Sequence, residues 1–139
     1  MKEDEILLRD ILDDHSRNPN GVSKIANPTI TQKWVSKKTG NSCILEVVLD
    51  NKKIKQISAH VEGSALAKAC ASIMCDELMD LSLEEANSLK NNVFTWLDDG
   101  IPPDSWSGDL IVYQSLSRFP ERLDCAKLCW NALGAIPNN

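Results

Sequence analysis

No run of apolar residues in this chain approaches the length needed to cross a bilayer, so no membrane-spanning helix and no membrane partner is expected. A surplus of positive charge is also missing: 15 Lys and Arg stand against 20 Asp and Glu, for a net charge of −5 at pH 7. Nucleic acid is therefore not expected as a main partner, because phosphate binding needs a basic surface. The opening MKEDEILLRD is acidic and lacks the basic-then-apolar layout of an export leader, which makes a cytoplasmic protein the expectation. There is no C-x-x-C pair. The five cysteines (Cys43, Cys70, Cys75, Cys125, Cys129) are an odd number, so free thiols or metal ligands are expected rather than a disulfide framework. Cys125 and Cys129, four apart, would share one face of a helix. Internal repeats and low-complexity segments are absent as well.

What is present suits one domain spanning residues 1–139, long enough for a real core and too short for two. Ile6, Leu7, Leu8, Ile11 and Leu12 form an apolar stripe that predicts an amphipathic helix over about residues 3 to 15. NPNG (Asn18 to Gly21) ends it with turn chemistry. TITQKWV (Thr29 to Val35) has the propensity of an edge strand. The next segment is a hairpin: Cys43, Leu45, Val47 and Leu49 alternate on one arm and Ile57, Ala59 and Val61 on the other, with Gln56, Ser58 and His60 facing away. Asp50-Asn51-Lys52 supplies its turn. VEGSALAKACASIM (Val61 to Met74) then reads as a strand end, a tight corner and a helix running to about Leu78, with Ser64 as helix N-cap. SLEE (Ser82 to Glu85) is a capping box for a helix that ends at Asp99-Gly100. IPPDSWSG is a loop, Leu110 to Leu116 a short helix, and Pro120 opens a last helix that Gly134 stops. The order predicts an α+β domain with a small three-stranded antiparallel sheet covered by helices.

Three of these places line up. KTGN (Lys38 to Asn41) precedes the hairpin, EGSALAKACASIM follows it, and RFPERLDCAKLCWNAL (Arg118 to Leu133) opens the last helix. Together they resemble the U-type iron–sulfur cluster scaffold family, comprising the N-terminal domain of NifU together with IscU and SufU. That family carries C-G-D before the hairpin, G-C-x-x-x-x-A-S-A-S after it and P-x-R-x-x-C-x-x-L-x-W in the last helix. This chain has T-G-N, G-S-A-L-A-K-A-C-A-S and P-E-R-L-D-C-A-K-L-C-W. ILDDHSRNPNG is similar to the family's opening segment, and the long stretch between Ser64 and Cys125 is like the SufU branch. The resemblance covers nearly the whole chain.

The resemblance implies a site at one end of the domain where three thiolates and a carboxylate hold zinc or a small iron–sulfur cluster. Carried over position by position, those ligands fall on Thr39, Asn41, Ser64 and Cys125. Only Cys125 keeps its chemistry. The hydroxyls of Thr39 and Ser64 do not ionise near neutral pH, and Asn41 keeps the shape of an aspartate without its charge. No bound metal or cluster is therefore expected. A second register, with NPT (Asn27 to Thr29) before the first ligand, would place Ile30 there but leaves too long a run before the hairpin. Thr39 is preferred, and either choice loses the ligand.

The implied role is an accessory one in iron–sulfur cluster assembly, exercised by binding a protein partner such as a cysteine desulfurase. Two alternatives stay open. Cys125 would accept persulfide in a sulfurtransferase-like activity, the one reading that makes the chain an enzyme, or Cys43, Cys125 and Asp124 would form a substituted set that carries metal. Reuse of the fold for something unrelated also stands. Arg122, one turn before Cys125, would favour its thiolate, and Asp124 beside it would oppose that. Alternation over residues 39, 41 and 43 points Cys43 toward the site, while its neighbours Leu45 and Val47 point it to the core. Cys70 and Cys75 read as core. His15 closes the first helix, where it complements the dipole, and His60 sits on the polar strand face as a surface residue. Trp130 reads as core, and Trp34, Trp96 and Trp106 as candidates for a partner surface.

Overall fold

The two alternating segments form the expected hairpin, and a third strand joins it on one side. The computed structural model describes residues 3–101, 103–117 and 119–137; Pro102 of the IPPDSWSG loop and Arg118 before the last helix lie outside these. Strands β1 (Ile30–Val35), β2 (Ser42–Asp50) and β3 (Lys53–Glu62) make an antiparallel sheet in the order β1-β2-β3. Directly opposed residues share a face. Trp34, Cys43 and Val61 form one such row, Gln32, Leu45 and Ala59 the next, and Ile30, Val47 and Ile57 the third. Cys43, Leu45 and Val47 on this face are buried under helices.

At the hairpin tip Asn51 and Lys52 both take positive φ, 53° and 65°, the geometry that matches a two-residue turn to strand twist. A register shift between Val48 and Leu49 sets Ile54 opposite Leu49. The bulge explains how Ile54 and Ile57, three apart, are both buried. Ser58 also departs from simple alternation. It is buried because the segment after α1 (Glu3–Arg17) straps across this edge, with Ala59 N–H donating to Gly21 O at 2.7 Å and the Ser58 hydroxyl donating to Ser23 O.

Helix α2 (Ala65–Leu78) packs against α1, β3 and α5 (Pro120–Gly134). Its small residues Ala67, Ala69, Cys70, Ala71 and Ser72 are all buried, which lets neighbours close in on several sides. Gly21, at φ 67°, crosses so close to it that a Cβ there would lie 2.6 Å from the Cys75 sulfur. Helix α3 (Leu83–Asp99) begins on the complete Ser82–Glu85 capping box and ends at Gly100 in the left-handed conformation. The expected helix near Leu110 is a 3₁₀ turn (Gly108–Val112) that runs into one turn of α-helix, α4 (Tyr113–Leu116). Trp130 of α5 is fully enclosed, and its indole N–H donates to the Tyr113 hydroxyl at 2.8 Å. Among the described residues no helix is long and apolar enough to cross a membrane.

One expectation is extended here and one is corrected. His15 lies in the last turn of α1, as expected, but does more than complement the helix dipole. It is buried, with Nδ1 2.7 Å from the Ser72 hydroxyl and Nε2 2.7 Å from an Asp109 carboxylate oxygen, so it ties α1 to α2 and to the 3₁₀ turn. And a disulfide is present: Cys43 of β2 is bonded to Cys129 of α5, with Cα atoms 5.6 Å apart. Cys70, Cys75 and Cys125 remain as thiols.

Candidate functional site

The site lies at the end of the sheet where the β1–β2 turn, the β3–α2 corner and the start of α5 meet. The turn is tight. Gly40 N–H donates to Ser36 O at 2.9 Å, Ser36 N–H donates to Asn41 O at 2.8 Å, and Gly40 takes φ 78°, which its missing Cβ permits. Thr39 and Asn41 therefore belong to a turn and not to strand β2. The alternation over residues 39, 41 and 43 does not hold, and Cys43 faces the core.

Asp124 holds this turn onto α5. One of its carboxylate oxygens accepts from the Ser36 hydroxyl at 2.8 Å and from the Thr39 hydroxyl at 3.3 Å. The Ser36 oxygen accepts in turn from the backbone N–H groups of Lys38 and Thr39, and the Thr39 oxygen from that of Asn41 at 3.1 Å. At the facing corner, the Asn41 side chain lies against Gly63, where a Cβ would approach its Cγ to 2.8 Å. Ser64 caps α2 by accepting from Ala67 N–H at 3.1 Å, and its hydroxyl donates to the Cys125 sulfur at 3.3 Å. Contacts thus run from Thr39 through Asn41 and the Gly63-Ser64 corner to Cys125, and back through Asp124. The preferred register brings its four positions to one place. Ile30, the alternative to Thr39, pairs with Val47, well along β1 from the turn.

The donor set does not fit zinc. Zinc takes thiolate, imidazole or carboxylate. Thr39, Asn41, Ser64 and Cys125 supply two hydroxyls, a neutral amide and one thiol, and Asp124 already accepts two hydroxyl hydrogens. Among the described residues no group of three or more His, Cys, Asp or Glu side chains is placed to hold a metal ion. The substituted set of Cys43, Cys125 and Asp124 is corrected outright, since Cys43 is buried and bonded to Cys129.

Cys125 is half-buried, the most accessible of the three free thiols. Burial pushes the Cys70 and Cys75 thiols up to about 12, so both stay protonated at neutral pH, as core residues. Arg122 sets its guanidinium over the Phe119 ring, 4.6 Å from the centroid. Among the three tryptophans proposed for a partner surface, Trp96 and Trp106 pack edge to face on each other at 4.9 Å and are partly buried. Trp34, 38% exposed and opposite Cys43, is the one beside the site. His60 is paired with Glu46 at 2.8 Å on the outer sheet face. Sequence reasoning missed Ser36, whose spacing three residues before Thr39 is the available signal for a side-chain-bonded turn, and it missed the anchoring role of Asp124.

Comparisons with known proteins agree with this fold. Residues 8–135 match the family described as the NifU-like N terminal domain. The chain is 28% identical over 131 residues to the "Zinc-dependent sulfurtransferase SufU" of Bacillus subtilis (strain 168), covering 93% of this chain and 88% of that one. It is 29% identical over 133 residues to the "Iron-sulfur cluster assembly scaffold protein IscU" of Streptococcus pyogenes serotype M1, covering 88% and 77%. A crystal structure of a NifU-like protein, N-terminal part, from Brucella abortus superposes with a TM-score of 0.78 at 17% identity, over 94% of this chain and 90% of that one, a likeness of fold.

Proposed function

The chain belongs to the NifU-like N-terminal domain family of iron–sulfur cluster assembly scaffolds, and from that membership we propose that it serves cluster assembly without carrying metal, as an accessory protein that docks with a sulfur-delivering partner in the cytoplasm. The partner chemistry that fits is a cysteine desulfurase. Supporting this, Thr39, Asn41 and Ser64, the positions onto which the resemblance carries the family's ligands, have side chains that are not anionic. Trp34 beside them is an exposed aromatic of the kind that anchors interfaces.

One observation carries the reading further: Cys125 is the single half-buried thiol, at the mouth of the site, with the Ser64 hydroxyl donating to its sulfur at 3.3 Å. A thiol so placed suits acceptance of sulfane sulfur as a persulfide, the sulfurtransferase-like reading. The test is to incubate the purified chain with a cysteine desulfurase and cysteine, then take its mass after alkylation. A gain of one sulfur atom on Cys125, absent in Cys125→Ser, supports sulfur acceptance. Co-elution with the desulfurase but no sulfur gain leaves the docking role alone, and neither result removes both. Zinc and iron per chain, measured on protein purified without chelator, test the metal-free part.

A further inference from the structure

Cluster assembly consumes sulfide, whereas a persulfide delivers sulfur at the oxidation level of zero, so two electrons must enter between the two. We propose that the Cys43/Cys129 pair is the internal reductant that releases sulfide from a Cys125 persulfide, and that the bonded pair seen here is its spent form. The inference rests on the reading of Cys125 as a sulfur acceptor.

Three placements carry it. Cys125 and Cys129 are four apart on α5, neighbours on successive turns of one helix face. Cys125 packs against the hydrophobic core on one side and reaches the site on the other. Cys43 lies across from Cys129 on β2 with the Cα spacing a disulfide requires, 5.6 Å, and both sulfurs are sealed from solvent. The pair therefore sits one helical turn from the acceptor and meets an outside dithiol only when the fold opens locally. The remaining thiols, Cys70 and Cys75, are buried on α2; Cys70 lies within electrostatic reach of Cys125, and burial holds its thiol protonated, at about 12.

The steps balance. With the pair reduced, the Cys129 sulfur attacks the outer sulfur of the Cys125 persulfide. The persulfide S–S bond breaks, Cys125 leaves as thiolate, and Cys129 now bears the persulfide. The Cys43 sulfur then attacks Cys129 Sγ, expelling HS⁻ and forming the Cys43–Cys129 bond. One sulfur atom is reduced by two electrons, two thiols are oxidised to a disulfide, and their protons go to sulfide and to Cys125. A dithiol reductant supplied from outside resets the pair.

The test uses the full chain, reduced, freed of reductant and kept anaerobic, with a limiting amount of glutathione persulfide as sulfur source. Sulfide released and the state of each cysteine after alkylation are read together. The expected result is sulfide equal to the sulfur delivered, an equal amount of Cys43–Cys129 disulfide, and free Cys125. In Cys43→Ala the sulfide falls to the level of the donor alone and the sulfur is recovered as persulfide on Cys125 or Cys129. Cys129→Ala, which places a good helix former in α5, guards against a folding defect and holds its persulfide on Cys125. Wild type that keeps its persulfide on Cys125 with Cys43 and Cys129 still reduced overturns the inference and leaves sulfur acceptance standing. Sulfide release unchanged in both alanine variants also overturns it. Failure of Cys125 to take sulfur in folded Cys129→Ala, where no transfer to Cys129 can follow, removes the acceptor reading and this inference with it.

Discussion

The Ser64 hydroxyl donates to the Cys125 sulfur across 3.3 Å while accepting from Ala67 N–H, so one side chain both starts α2 and touches α5. Replacing it with alanine removes an N-cap, which costs about 1 kcal/mol. Ser64→Ala is expected to lower the urea midpoint by a corresponding amount with the slope unchanged. Ser64→Asp, which keeps a cap acceptor, is expected to recover most of the loss. Equal loss in both variants counts against the cap as the cause.

If Thr39, Asn41 and Ser64 occupy former ligand positions, the turn and corner still hold those positions around Cys125. The triple change Thr39→Cys, Asn41→Asp and Ser64→Cys then assembles three thiols and a carboxylate. The expected outcome is one tetrahedral zinc per chain by elemental analysis and X-ray absorption, with sharply weaker binding in each single reversion. A folded triple mutant that takes up no zinc contradicts the register.

The Asp109 carboxylate only accepts, so His15 Nε2 carries the hydrogen of their 2.7 Å contact, and Nδ1 shares a 2.7 Å hydrogen bond with the Ser72 hydroxyl. The Ser72 oxygen in turn accepts from Asn20 N–H at 2.8 Å. Ser72→Ala leaves two partly or wholly buried groups unpaired and is expected to cost roughly 2–3 kcal/mol, against a few tenths for an ordinary small surface change. Denaturant unfolding checks this, and Asp109→Asn, whose amide oxygen still accepts, is expected to cost less.

Cys43 and Cys129 are 86 residues apart in the chain. A cross-link of that span restricts the unfolded state by roughly 4–5 kcal/mol in the chain-entropy treatment. Dithiol reduction is accordingly expected to lower the melting temperature, and Cys129→Ala is expected to melt at the same temperature with or without reductant. A strong chelator is expected to leave the wild-type melting temperature where it was.

Burial raises the Cys70 and Cys75 thiols from 9.0 to about 12 in the fold. Their contribution to stability is complete below pH 9, where the unfolded chain also keeps these protons, and is lost as pH rises from about 9 toward about 12. Alkylation of the native chain at pH 8 is expected to label Cys125 alone, with Cys70 and Cys75 reacting only on unfolding. Fast labelling of either without loss of structure contradicts their burial.

The hairpin, the two serine caps and the helix stop at Gly100 were legible because each is written within a few neighbouring residues. The bulge at Val48 and Leu49 was not, since one slipped residue leaves the apolar count of both strands intact. His15 pairs with residues 57 and 94 positions away, and Cys43 with one 86 away, distances at which local pattern carries no information. Cys43 lies in the core, as its apolar neighbours indicated, and the alternative that pointed it toward the site fails for a specific reason. Period-two reading was extended upstream through Gly40, where the left-handed turn breaks it. The four site positions came instead from motif order, and the contacts of Ser64 with Cys125 and of Thr39 with Asp124 are consistent with that register.

Among the described residues helix α5 follows every other element, and it carries Cys125, Asp124, Cys129 and the enclosed Trp130. During synthesis the sheet and α2 leave the ribosome first, with the apolar row of Cys43, Leu45 and Val47 still uncovered until α5 follows. Cys125 and the hydroxyls of Ser64 and Thr39 therefore come together only after α5 has been made, and until then the nascent chain presents an uncovered apolar sheet face.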